Sequence, residues 1–266
     1  MKYLDNEGIL NFFDIPQSQK PYGIFDAVDP KNITHFYPEP EDLYRIHTLI
    51  RARKVFNVLE FGLGYSTIVI ANALLKNKKD YGGDNPEVRI SNPFKVYSVD
   101  GSKKWIEHFN ISLQKHSKIA HELLNTVNVQ YSPCEIGEYN GKICHYYKNI
   151  PNVVVDFYYL DGPSGNDVVG QINGISFQNC PERTVMSGDL LKLEPTMLPG
   201  TMILVDGRTN NARFLANNFR RNWQHTWSFE DDISCFELVE PPLGKINEAQ
   251  IRYSLGETYF SRLQQL

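Results

Sequence analysis

Val55-Phe-Asn-Val-Leu-Glu-Phe-Gly-Leu-Gly-Tyr-Ser-Thr67 carries three kinds of local signal in one short span. Residues 55 to 61 are an apolar run of strand formers, Gly62 and Gly64 break that run, and residues 66 to 75 continue in a helical pattern. Strand, glycine turn and helix in that order open a sheet whose strands run parallel and are joined by helices. The same unit recurs downstream. Residues 95 to 99 form a second strand ending at Asp100, and residues 103 to 113 form the helix after it. Residues 127 to 131 form a third strand, and the nearly continuous apolar run at 153 to 160 a fourth, closed by Asp161-Gly-Pro163. A helix over 185 to 197 leads to a fifth strand at 201 to 205, closed by Asp206, with another helix over 211 to 221. Continuous apolar strands suit a sheet covered on both faces. Residues 224 to 229 and 234 to 239 then flank a polar turn and read as a hairpin.

The expected fold is therefore α/β: a doubly wound, mainly parallel Rossmann-like sheet with a C-terminal antiparallel hairpin. Upstream, Pro38-Glu-Pro-Glu-Asp42 suits the first turn of a helix that runs to about residue 54. Residues 1 to 38 lack a sustained period and read as an N-terminal arm or cap. Residues 39 to 266 make the main domain, with insertions near 76 to 93 and 164 to 199.

Composition narrows the function classes. The chain has 266 residues, 41% hydrophobic and 22% charged, which is ordinary for a globular protein. A formal charge of −4 argues against a nucleic-acid partner. No run approaches the roughly 20 apolar residues of a membrane helix, so no membrane partner and a cytoplasmic location are expected. Cys134, Cys144, Cys180 and Cys235 lack zinc-finger or disulfide-framework spacing.

In open α/β sheets the ligand crevice lies beyond the carboxyl ends of the strands. An acid marks each of those ends: Glu60, Asp100, Glu135 just past the third strand, Asp161 and Asp206. Gly62-Leu-Gly64-Tyr-Ser-Thr67 lacks the third glycine of the dinucleotide fingerprint. Glu60, just ahead of the turn, would repel a phosphate and favour an ammonium or sulfonium charge. Asp100 stands where a carboxylate accepts hydrogen bonds from the ribose of an adenosine-containing ligand.

These residues, with the Tyr-Leu-Asp-Gly-Pro end of the fourth strand and the final hairpin, resemble the class I S-adenosylmethionine-dependent methyltransferases over roughly residues 40 to 240. The resemblance implies S-adenosylmethionine as cofactor. It places Gly62, Gly64 and Ser66 at the methionine part, Asp100 at the ribose and Cys134 and Glu135 at the adenine, with Glu60, Tyr65, Gly101 and Asp161 also among the cofactor-binding residues. The stretch from Tyr146 through Pro163 is also similar to sugar and polysaccharide O-methyltransferases, and the N-methyltransferase tetrapeptide is absent after the fourth strand. An O-methyltransferase acting on a sugar, a glycan precursor or another small hydroxylated molecule is the resulting expectation.

An alcohol acceptor must lose a proton to a base or to a metal-assisted equivalent. Asp161 and Asp206 are the expected catalytic carboxylates, with Arg208 as a clamp for an anionic group. Related catechol-type enzymes place magnesium on an acid after the fourth strand and an Asp-Asn or Asp-Asp pair after the fifth. Here Gly207 follows Asp206, so the third ligand is missing unless Asn210 or Asn211 supplies it, and no metal residue is assigned. His35 in the aromatic arm is a candidate lid or base. The insertion at 164 to 199, with Arg183 and Asp189, is a candidate acceptor site. A nicotinamide-dependent oxidoreductase or epimerase is the alternative enzyme, and a non-catalytic binding module on the same fold the alternative outside enzymes. The sequence leaves a homo-oligomer open.

Overall fold

The computed structural model describes residues 2–9, 40–83, 85–115 and 120–265. Helices α1 (Lys2–Asn6) and α2 (Pro40–Ala52) precede β1 (Asn57–Phe61), α3 (Tyr65–Asp80), β2 (Lys95–Asp100), α4 (Lys103–Lys115), α5 (Ala120–Leu124) and β3 (Val127–Tyr131). There follow β4 (Cys134–Tyr139), β5 (Lys142–Tyr147), β6 (Phe157–Leu160), β7 (Val168–Val169), α6 (Asp189–Leu193), β8 (Met202–Asp206) and α7 (Thr209–Ala216). Strands β9 (Trp223–Ser228) and β10 (Ile233–Leu238) and helices α8 (Gly244–Leu255) and α9 (Glu257–Leu263) complete the chain.

The main sheet has seven strands in the order β3-β2-β1-β6-β8-β10-β9. The first five are parallel to their neighbours, while β10 runs antiparallel to β8 and β9 antiparallel to β10. This is the doubly wound, mainly parallel α/β sheet with its closing hairpin. Alternation along each central strand divides the core between two layers. Val58, Phe157, Tyr159, Met202 and Leu204 face a cluster built with α2, α3 and α4. Leu59, Phe61, Tyr158, Leu160, Ile203 and Val205 face the opposite cluster.

That second layer departs from the expectation. Between β3 and β6 the chain makes a β-hairpin, β4 against β5, and β7 joins it to form a three-stranded sheet. Asn140 and Gly141 at the hairpin tip both adopt positive φ, 50° and 73°, the conformation a two-residue Asn-Gly turn requires. Cys134, Tyr147 and Val168 of this sheet bury against the main sheet together with Leu190 and Leu191 of α6.

Other boundaries shift for local reasons. Helix α3 runs on to Asp80, so the insertion expected from residue 76 starts later. The helix expected over 185 to 197 is α6 followed by a 3-10 turn at Glu194–Thr196, where Pro195 removes a backbone donor. Residues 153 to 155 do not pair, and β6 begins at Phe157. Helices α8 and α9, unassigned from sequence, pack Ile251 and Tyr259 beside Val239 at the end of β10. Of the expected N-terminal arm, residues 2–9 are described, with Leu4 and Ile9 buried in the α2 and α3 layer.

Candidate functional site

The strand order reverses direction between β1 and β6, and a crevice forms where the chain leaves such a pair on opposite sides. The turns after these strands meet backbone to backbone. A Cβ on Gly62 would lie 2.9 Å from the Gly162 Cα, and one on Gly162 would lie 2.5 Å from the Gly62 Cα. Gly62 also has φ +102°, so glycine is required twice over at that position. Gly64 differs. Its φ of −170° is ordinary extended backbone, and an added Cβ would find only Ser66 Oγ, at 3.8 Å. The space ahead of Gly64 is open.

Glu60 is wholly buried beneath this loop. Ser66 Oγ and Thr67 Oγ1 donate to its two carboxylate oxygens at 2.6 Å, and Ser98 Oγ of β2 donates to the same carboxylate. Burial pushes the Glu60 pKa up to about 7, opposed by these hydroxyl donors and assisted by the nearby charge of Asp161. Glu60 thus ties β1, β2 and the start of α3 together. The direct contact with a cationic ligand expected of it is not available to a sealed carboxylate. Thr67 Oγ1 in turn accepts from the Gly64 amide at 3.1 Å, and Tyr65 begins α3 half-buried against the first core cluster.

Asp100 closes β2 with a small exposed edge, 8%. Its Oδ2 accepts from the Leu63 amide at 2.9 Å and its Oδ1 from the Ser102 amide at 2.7 Å. The carboxylate therefore fixes the glycine loop from the side, and burial raises its pKa against those two donors. Gly101 lies against the next layer: a Cβ there would come 3.1 Å from Cys134 Sγ and 3.3 Å from the Asp167 Cβ. Asp167, which sequence reading passed over, joins Asp100 here. Burial and the charge of Asp100 raise its pKa. Cys134 and Glu135 part company, because neighbouring strand residues point to opposite faces. Cys134 is buried toward Gly101, while Glu135 is half-exposed and sits 3.8 Å from Lys148 Nζ. Glu135 is turned away from the crevice that the adenine role requires.

Asp161 and Asp206 follow the adjacent parallel strands β6 and β8. Asp161 keeps 53% of its side-chain surface exposed, in a recess where lost solvation raises its pKa and Arg208 pulls it back. Asp206 Oδ2 accepts from the Tyr159 hydroxyl at 2.7 Å. Burial, followed by the charge of Asp42 on α2, pushes the Asp206 pKa up to about 7, and Asp161 adds to the same shift. A carboxylate at that value exchanges protons at neutral pH.

Arg208 is committed to the turn beside it. Its Nη2 donates to the Asp161 carbonyl at 2.6 Å, its Nη1 to the Pro163 carbonyl at 3.0 Å, and its Nε lies 3.5 Å from Asp161 Oδ1. It holds the Asp161-Gly-Pro163 turn in place, which engages both Nη groups without a ligand, while Nε makes an ion-pair contact and, among the described residues, no hydrogen bond. Asn210 Nδ2 donates to Thr184 Oγ1 at 3.1 Å, and buried Asn211 accepts from the Ser187 amide at 3.1 Å. Both side chains are thus engaged away from Asp206. Among the described residues, no group of three or more His, Cys, Asp or Glu side chains converges as a metal site.

Beyond Asp161 and Gly207 opens a groove of about 630 Å³, lined in part by Ser164, Arg183, Thr184, Arg208, Asn210 and Arg213. Arg183 of the second insertion is therefore in the groove. Asp189 is not: it is buried, and its carboxylate accepts from the Tyr147 amide at 3.2 Å between the two sheets. His35 lies outside the described residues.

Fold and site together define a doubly wound α/β protein with an acidic crevice at its topological switch point and a groove leading away from it. Neither a protein-family model nor a curated protein matches the sequence. Similar solved structures include the O-methyltransferase TomG of Streptomyces achromogenes in complex with SAM, at 14% identity over 76% of this chain and 81% of that one, TM-score 0.40. An O-methyltransferase from Bacillus cereus in complex with SAH is 14% identical over 78% and 86%, TM-score 0.41. The SAH-bound Podospora anserina methyltransferase PaMTH1 is 12% identical over 77% and 80%, TM-score 0.45. The α/β assignment for this chain rests on its own strand order and register. Among the described residues no helix is long and apolar enough to cross a membrane.

Proposed function

We propose that this chain is an S-adenosylmethionine-dependent methyltransferase that methylates a hydroxyl oxygen of a sugar, a glycan precursor or another small hydroxylated molecule. The observation that carries the reading is Asp206 at the end of β8, held by the Tyr159 hydroxyl and titrating near 7, its shift reinforced by the charge of Asp161, which itself lines the groove. The loop fits an adenosyl cofactor in two respects. Open space lies ahead of Gly64, and Asp100 flanks it with a carboxylate whose exposed edge can meet ribose hydroxyls.

When bound, the cofactor supplies the methyl group: its sulfur–methyl bond breaks as the oxygen–methyl bond forms, and the electron pair stays on sulfur. The residues of this chain do the rest. Asp206 accepts the proton that the acceptor hydroxyl loses. Asp161, fixed by Arg208, orients the acceptor at the end of the groove, and positioning alone can supply much of the acceleration. Glu60 acts on the loop from beneath it, keeping Gly64 and Ser66 in register with α3.

Calorimetric titration with S-adenosylhomocysteine and with NADH, each with and without magnesium, tests the reading. Saturable binding of S-adenosylhomocysteine alone is expected. Silence there, or binding of NADH in its place, overturns it.

A further inference from the structure

We propose that the groove beyond Asp161 is an oxyanion subsite in which Arg183 and Arg213 bind a carboxylate, sulfate or phosphate group carried by the acceptor. The substrate class rests on the methyltransferase reading; the anion subsite itself does not.

The case begins with how this chain treats its arginines. Seven of the eleven, Arg45, Arg51, Arg53, Arg208, Arg221, Arg252 and Arg262, lie within ion-pair distance of an Asp or Glu. Among the described residues the other four, Arg89, Arg183, Arg213 and Arg220, have no such carboxylate. Two of these four line one groove. An arginine left without a counter-ion in a concave wall is where the protein's own field attracts an anion.

The carboxylates that share the groove do not neutralise this pair. Asp161 is engaged by Arg208, and Asp232 accepts from the Thr209 hydroxyl. Three arginines face two aspartates across the lining, and the surplus sits with Arg183 and Arg213. Arg213 also lies near an aromatic face, its guanidinium carbon 5.8 Å from the centroid of the Trp227 ring. A cation–π contact at that range uses none of the guanidinium's hydrogen-bond donors. Ser164, Thr184 and Asn210 add neutral donors along the same wall.

Asp161, Gly207, Arg183 and Arg213 share the lining of one groove, and the charge of Asp161 acts on the base Asp206. A hydroxylated acceptor with an anionic substituent can then present its hydroxyl to Asp206 while its anion engages the arginines.

The test uses the full chain and three simple probes: inorganic phosphate, sulfate and acetate. Each is titrated calorimetrically with and without saturating S-adenosylhomocysteine, in the native protein and in Arg183→Gln and Arg213→Gln. Both residues are exposed, so neither change threatens folding. At least one oxyanion is expected to saturate, with affinity falling about tenfold or more in each variant, while affinity for S-adenosylhomocysteine stays unchanged. The tightest probe names the anion class. If none of the three saturates, or both variants bind like the native protein, the subsite is wrong. If an oxyanion binds in an arginine-dependent way but S-adenosylhomocysteine does not, the subsite stands and the methyltransferase reading falls.

Discussion

Asp156 and Asp161 bracket the same strand, yet the two ends of β6 use a carboxylate in opposite ways. Asp156 accepts from the Phe56 amide at 3.0 and 3.1 Å and from the Asn57 amide at 2.8 Å, clamping the entry of β1 to that of β6. The cavity at that end, beside Arg53, Asp156 and Gln250, holds about 20 Å³. At the other end Asp161 is half-exposed, its side chain meets Arg208 at 3.5 Å, and the space beside it is about 630 Å³. Burial raises both pKa values. What separates a structural carboxylate from a candidate functional one is therefore not its titration. Backbone donors saturate the first, while the second keeps accessible oxygens facing a volume that a ligand can fill.

The largest expected effect breaks the functional end. Asp206→Asn keeps the size and an acceptor for the Tyr159 hydroxyl but removes the base, so methyl transfer should fall by about 10²- to 10⁴-fold. Initial rates at saturating cofactor measure it, and a loss under threefold would remove Asp206 from the chemistry. In the native protein the rate should rise with pH through about 7 and then level, following the ionisation of Asp206. Stability should run the other way. The folded pKa lies above the unfolded value of about 3.9, so the favourable contribution of this group is complete below that value and is lost as pH rises through about 7. Asp206→Asn should therefore melt higher than the native protein at pH 8 and lose part of that advantage at pH 5. Melting curves at both pH values check the sign.

Next in size is the structural end. Asp156→Ala strips the Phe56 and Asn57 amides of their acceptor at the edge of the core, for a destabilisation of about 3 kcal/mol. Urea titration measures it. Affinity for S-adenosylhomocysteine should survive in the folded fraction, since Asp156 is at the far end of the strand. A loss of affinity without a loss of stability would erase the distinction drawn between the two ends.

This division was partly legible from sequence. The strand ends, the acids at 60, 100, 161 and 206 and the closing hairpin follow from apolar runs broken by glycine and proline, because strands buried on both faces leave a strong local pattern. The β4–β5 hairpin also carried a local signal, the Asn140-Gly141 turn, yet the sequence reading assigned no element between the third and fourth strands. Contacts set by the third dimension had no such signal. Gly62 lies against Gly162, a hundred residues on, and nothing near either predicts a backbone collision. Glu60 and Arg208 were each expected to meet a ligand, but Ser98 and the Pro163 carbonyl occupy them. Residue type and strand position are the same for a tether and for a ligand contact.

The smallest expected effect on the fold sharpens that last point within one loop. Gly62→Ala forces a Cβ into the Gly162 backbone at 2.9 Å from a positive φ, and should cost about 2 to 3 kcal/mol. Gly64→Ala, two residues on, meets no backbone and keeps an extended φ that alanine adopts freely, so its stability should stay within about 0.5 kcal/mol of the native protein. Its effect belongs to the space ahead of the loop. The new methyl group projects where the cofactor would lie, and affinity for S-adenosylhomocysteine should drop by about tenfold or more. A Gly64→Ala protein that melts normally and binds normally would mean that the open face of the loop is not where the ligand sits. The site would then have to be sought along the groove toward Arg183.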